Sequence, residues 1–89
     1  MKNILLQNIN KIHTTPLGIN RIKKNLELKD EDVVTYCQNK IKDSNSIVTK
    51  KGKNYYVEID NIIITINSYS YTIITSHKNR KKENYVIWL

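Results

Sequence analysis

At 89 residues the chain has room for one hydrophobic core, and 39% hydrophobic with 26% charged residues is an ordinary composition for a globular domain that folds unaided. A single cysteine, Cys37, excludes an internal disulfide, and no spacing supplies the four ligands of a structural zinc, so the sequence predicts no metal, no cofactor and a reducing, cytoplasmic setting. Fifteen Lys and Arg against eight Asp and Glu leave a net charge of +7, which suits a polyanionic partner unless the lysines merely reflect AT-rich coding DNA and serve solubility.

The opening segment, Met1 to Ile12, carries Asn3, Gln7, Asn8 and Asn10 among its apolar residues, which is not the pattern of a signal peptide, and no stretch reaches membrane-spanning length. The spacing of Leu5, Ile9 and Ile12, widened by Ile4 or Leu6, predicts a first helix over Lys2 to Ile12. His13 and Thr14 then form a joint. A second helix is announced by Thr15 as cap and Pro16 at the first helical position, and runs to about Leu26 with Ile22 and Leu26 inward. The acidic run Asp30 to Asp32 favours the N-terminus of a third, whose stripe is Val33, Val34, Cys37 and Ile41, ended by Asp43 to Ser46.

From Ile47 onward the period changes to short β-branched runs. Strands are expected over Ile47 to Lys50, Tyr55 to Ile59, Ile62 to Asn67 and Tyr71 to His77, with turns at Gly52, Asp60-Asn61 and Ser68 to Ser70, and Tyr85 to Leu89 as a further strand or an associating tail. Residues 1–89 therefore read as one α+β domain, with two to three N-terminal helices packed on one face of a four- to five-stranded antiparallel sheet. Strict alternation in the fourth strand would point Tyr71, Ile73, Thr75 and His77 one way and Thr72, Ile74 and Ser76 the other.

Metal-independent RNA cleavage needs a base for the 2′-hydroxyl, an acid for the departing oxygen and cations for the phosphorane. His13 and His77 suit the proton work, with Arg21 and Thr75 beside them, although a histidine in a joint or at a strand end is as often a surface residue and a helix arginine often pairs with a carboxylate such as Glu27. Lys51, Lys53 and Tyr56 around Gly52, with Tyr71, combine phosphate attraction and stacking faces, or else make a plain basic hairpin. Lys78, Arg80 and Lys81 belong to the densest positive run, as phosphate contacts or as a solvated loop. Cys37 reads as core. No Gly-rich phosphate loop, nucleophile elbow or hydrolytic carboxylate pair is present.

The segments HTTPLGINRI with Asn25-Leu26, KGKNYY, and NSYSYTIITSHK resemble a small, uncharacterised bacterial domain family over about residues 5–78. More distantly, the order of a helix-borne histidine, an arginine several residues later, an acidic helix start before Val33, a β-meander and a closing strand carrying Thr and His resembles the barnase/EndoU/colicin/RelE-type ribonucleases, including BrnT-like toxins. That resemblance implies His13, Arg21, Thr75 and His77 as catalytic residues, a cyclic phosphate product, and a toxin or phage-conflict role with an antitoxin as partner. The expected function is thus a metal-independent, ribonuclease-like RNA-binding domain. The alternatives are a non-catalytic nucleic-acid binder and a small inhibitor, such as a phage counter-defence factor docking on a nuclease.

Overall fold

The computed structural model describes residues 2–79; Arg80, Lys81 and the expected strand Tyr85 to Leu89 lie outside the described residues. Helix α1 (Lys2–Gln7) stops short of the expected Ile12. The reason is Asn8: its side-chain amide donates to the Ile4 carbonyl at 2.8 Å, the same oxygen its backbone N–H reaches at 3.2 Å, and the chain tightens into a 3-10 turn over Ile9–Lys11. Leu5 and Ile12 are buried all the same.

Helix α2 (Pro16–Leu26) begins as its sequence predicts, with Thr15 Oγ1 accepting from the Gly18 N–H at 3.0 Å and Pro16 opening the first turn. It ends at Glu27, which takes a left-handed φ of 58° and donates its N–H to the last turn. Helix α3 (Val33–Lys42) is capped by Asp32, whose carboxylate accepts the Thr35 hydroxyl at 2.7 Å and the Thr35 N–H at 2.9 Å; these two bonds hold the carboxyl below its usual range. Val33, Cys37 and Ile41 are buried, whereas Val34 lies at the side of the stripe.

Strands β1 (Ile47–Lys51), β2 (Asn54–Ile59), β3 (Ile62–Asn67) and β4 (Ile73–Lys78) pair in sequence order as an antiparallel meander, so the chain is α+β with its helices before a four-stranded sheet. Gly52 (φ 62°) turns β1 into β2, and Asp60 and Asn61, both left-handed, turn β2 into β3. Tyr55, Val57 and Ile59 of β2, Ile62, Ile64 and Ile66 of β3, and Ile73 of β4 join Leu5, Ile12, Ile22, Leu26, Val33, Cys37 and Ile41 in one core, which puts the helices on one face. Strand β1 is an edge, and every residue on it except Val48 is exposed. Among the described residues no helix is long and apolar enough to cross a membrane.

The fourth strand corrects the sequence reading. Ile66 pairs with Ile73 but Thr65 pairs with Thr75, so Ile74 is an extra residue in a bulge. Alternation is therefore broken: Ile73 and Ser76 both face the helices, and Thr75 and His77 face the other way with Thr65 and Ile63. Tyr71 does not share their strand, since β4 begins at Ile73. Ser76, fully buried, meets the Cys37 sulfur at 3.6 Å, and burial pushes the Cys37 thiol up from its ordinary value.

The start of α2 is tied to the sheet by Thr14, whose hydroxyl donates to the Ile73 carbonyl at 3.0 Å. A Cβ on Gly18 would meet that hydroxyl at 2.2 Å. Gly18→Ala therefore forces Thr14 to rotate away and give up its bond. A net loss of about 1–2 kcal/mol, overpacking set against the better helix propensity of Ala, is expected as a lower urea midpoint. A Thr14→Ala, Gly18→Ala double variant, relieved of the collision, should recover part of it.

Candidate nucleic-acid interface

The two hairpin turns that close β1–β2 and β3–β4 lie at the same end of the sheet, because Asn54 pairs with both Lys51 and Asn67. They touch: the Ser68 N–H donates to the Lys53 carbonyl at 2.8 Å. His13 is brought to this end by the chain that enters α2. Its N–H donates to the Tyr71 carbonyl at 3.2 Å and its carbonyl accepts from the Ile73 N–H at 2.7 Å, a parallel bridge to Thr72. Lys11 follows, with Nζ 5.9 Å from the centre of the Tyr71 ring.

Charge is segregated along the sheet. Segments 8–20, 50–56 and 66–74, which build this end, hold Lys11, Lys50, Lys51 and Lys53 and no Asp or Glu. Among the described residues the carboxylates lie elsewhere: Glu58 and Asp60 at the opposite end of β2, Glu27 at the end of α2, Asp30 to Asp32 before α3, and Asp43 after it. Two of them are ion-paired there, Asp60 with Lys40 at 2.6 Å and Glu27 with Lys78. Neither Lys51 nor Lys53 makes a side-chain hydrogen bond or ion pair among the described residues, and both are exposed.

The turn after β3 is stiff. Asn67 Oδ1 accepts the N–H groups of Tyr69 and Ser70 at 2.9 Å each and the Ser70 hydroxyl at 3.2 Å, and the Asn67 carbonyl accepts the Tyr71 N–H at 2.9 Å. Tyr71 sits at φ 58°, left-handed backbone that costs a tyrosine on the order of 1 kcal/mol. Tyr69 stands at the tip, 76% exposed.

His13 is fixed by a chain of four contacts. Nδ1 lies 2.8 Å from the Lys11 carbonyl, Nε2 3.2 Å from Thr72 Oγ1, that oxygen 2.8 Å from Ser70 Oγ, and Ser70 Oγ 3.2 Å from Asn67 Oδ1. The two ends are pure acceptors, so Nδ1 must carry a hydrogen.

The remaining candidates are dispersed. Lys51, Tyr56, Thr75 and His77 share the sheet face away from the helices: Thr49, Tyr56, Thr65 and Thr75 form one cross-strand row, and Ile47, Glu58, Ile63 and His77 the next. His77 lies five residues beyond Thr72, the bridge partner of His13. At about 3.3 Å per residue, less the bulge, the two imidazoles are anchored roughly 15 Å apart, at opposite ends of β4. That is too far for both to reach one scissile phosphate. Arg21 is exposed on α2 and does not pair with Glu27, whose partner is Lys78; Lys78 faces the helices and is not a free phosphate contact. The sequence reading missed Lys11, and it gave no individual role to Tyr69, Ser70 and Thr72, which lie within the suspect run Asn67 to Lys78. Its one available signal was Tyr69, a large ring in a turn of Asn and Ser with no core to join. Among the described residues no group of three or more His, Cys, Asp or Glu can hold a metal.

A family model described as "Protein of unknown function (DUF3781)" matches residues 6–77. The chain belongs to the DUF3781 family. The matched span holds every residue of the lysine-bearing end, from Lys11 to Thr72, and stops at His77. No curated protein and no solved structure matches this DUF3781 chain, and nothing links the family to the barnase/RelE-type ribonucleases.

Proposed function

We propose that this domain binds RNA through the carboxylate-free end of its sheet and the adjoining outer face, and that it does so without cutting the strand. The observation that carries this reading is the segregation of charge: among the described residues four lysines gather where no Asp or Glu answers them, while the described acids are placed at the far end and along the helices. A protein that needed charge only for solubility gains nothing from sorting it, whereas a phosphate backbone is drawn to such a patch from a distance. Tyr56, on the same face as Lys51, supplies a ring beside the cations.

Cleavage is the weaker reading because the two histidines do not converge, and His13 is occupied on both nitrogens by the protein itself. Titration of a fluorescent 15-nucleotide RNA by anisotropy from 50 to 300 mM salt, with EDTA present, tests the proposal. Three or four phosphate contacts give log Kd a slope of about 2–3 against log salt, at roughly 0.7 per contact on a single strand. Absence of binding at 50 mM salt, or binding indifferent to salt, refutes it. Shortened products would refute the non-cutting part and reopen the enzymatic one.

A further inference from the structure

We infer that Tyr69 is a base-stacking residue that makes the site selective for single-stranded over paired RNA. The inference rests on the RNA-binding reading and names what that reading leaves open, the form of the nucleic acid. Among the described residues Tyr69 has the largest exposed fraction of the exposed large hydrophobic residues, 76%, on a turn whose backbone is held by three bonds to Asn67 Oδ1 and by the Tyr71–Asn67 backbone bond. An apolar ring held out on a rigid support loses little freedom when a second ring lies on it, so contact with a base is opposed by a small entropy cost.

The neighbours fit the rest of a nucleotide. The Lys53 carbonyl is bonded to Ser68, the residue before Tyr69, so the Lys51–Lys53 turn runs alongside; on the other side stand Tyr71 under Lys11, and His13 with its two hydroxyl partners. A base on Tyr69 thus has cations to either hand for the phosphates that flank it. In a duplex both faces of each internal base are already covered by neighbouring bases, so Tyr69 has nothing to stack on without unpairing, and only the lysines contribute. Stacking of this kind is tolerant of sequence, because every base presents a π-face.

The test compares the wild type, Tyr69→Ala and Tyr69→Phe, each with a 15-nucleotide RNA and with the same strand annealed to its complement, at two salt concentrations. Tyr69→Ala is expected to weaken single-strand binding about 5- to 150-fold, by the same factor at both salts, with little effect on the duplex. Tyr69→Phe, which keeps the ring, should bind like the wild type. Equal affinity of the wild type for single strand and duplex, or an unchanged Tyr69→Ala, would overturn the inference while leaving salt-dependent RNA binding intact. Loss of salt-dependent binding by the wild type itself would remove both.

Discussion

Replacing Lys51 and Lys53 together by glutamate is expected to lower RNA affinity at 0.1 M salt by at least about 25-fold, and to reduce the salt slope by about 1.4. The figure comes from two lost single-strand phosphate contacts at roughly 0.7 each, and the introduced carboxylates add repulsion to it. Both side chains are exposed and unbonded among the described residues, so the fold has no stake in them and the melting temperature should stay within a few degrees of the wild type. The same exchange at Lys23 and Lys24, on α2 and away from the turns, changes the net charge equally and serves as the control. If the two double variants lose affinity alike, only the overall charge matters and the assigned end has no special role. Anisotropy titration with stability checked by circular dichroism separates these outcomes.

Ile64→Ala is expected to be the most damaging single change to the fold. Ile64 is fully buried on the inner strand β3, opposite Val57 of β2 and Ser76 of β4. Removing its outer carbons beneath three helices costs about 2–5 kcal/mol in transfer free energy and cavity. A domain of this size has a total stability on the order of 5–10 kcal/mol, so the variant should melt roughly 10–30 °C lower, if it folds at all. Ile64→Val, one methylene smaller, should cost about 0.5–1.5 kcal/mol. Thermal denaturation of both, followed by circular dichroism, decides it; an Ile64→Ala protein that melts within a few degrees of the wild type would contradict the packing described for β3.

Local chemistry made the helix starts legible. Thr15 and Pro16 fix where α2 begins because a hydroxyl acceptor and an imino acid answer the same free N–H groups, and Asp32 does the same for α3. The strand positions and turns were legible for a similar reason, since Gly52 and the Asp60-Asn61 pair tolerate left-handed backbone that β-branched neighbours avoid. Two features had no local signature. The early stop of α1 depends on Asn8 turning its side chain back on Ile4 rather than out to solvent, and both are open to an asparagine. The bulge at Ile74 depends on Thr14 and His13 holding the first residues of β4 while Ser76 packs under Cys37, contacts that span 59 and 39 residues.

The site was legible residue by residue but not as a place. Lys51, Lys53, Tyr56 and His13 were suspect for their chemistry, yet the sequence separates His13 from Thr72 by as much chain as it separates other pairs that never meet. What gathers them is the tertiary meeting of the two turns through Lys53 and Ser68, and the bridge of His13 to Thr72. The pairing of His13 with His77 rested on their shared side-chain type, and the strand register sets them at opposite ends.

Among the described residues strand β1 has no partner along its outer side, a short run whose backbone groups face away from the sheet. Lys50 and Lys51 stand on that rim, so the charges assigned to phosphate also keep a second copy from adding itself to the sheet. Neutral substitutions there would silence one interaction and invite another, turning a binding variant into an aggregating one. Glutamates preserve the mutual repulsion between copies, which is why charge reversal rather than alanine is the informative exchange at this turn.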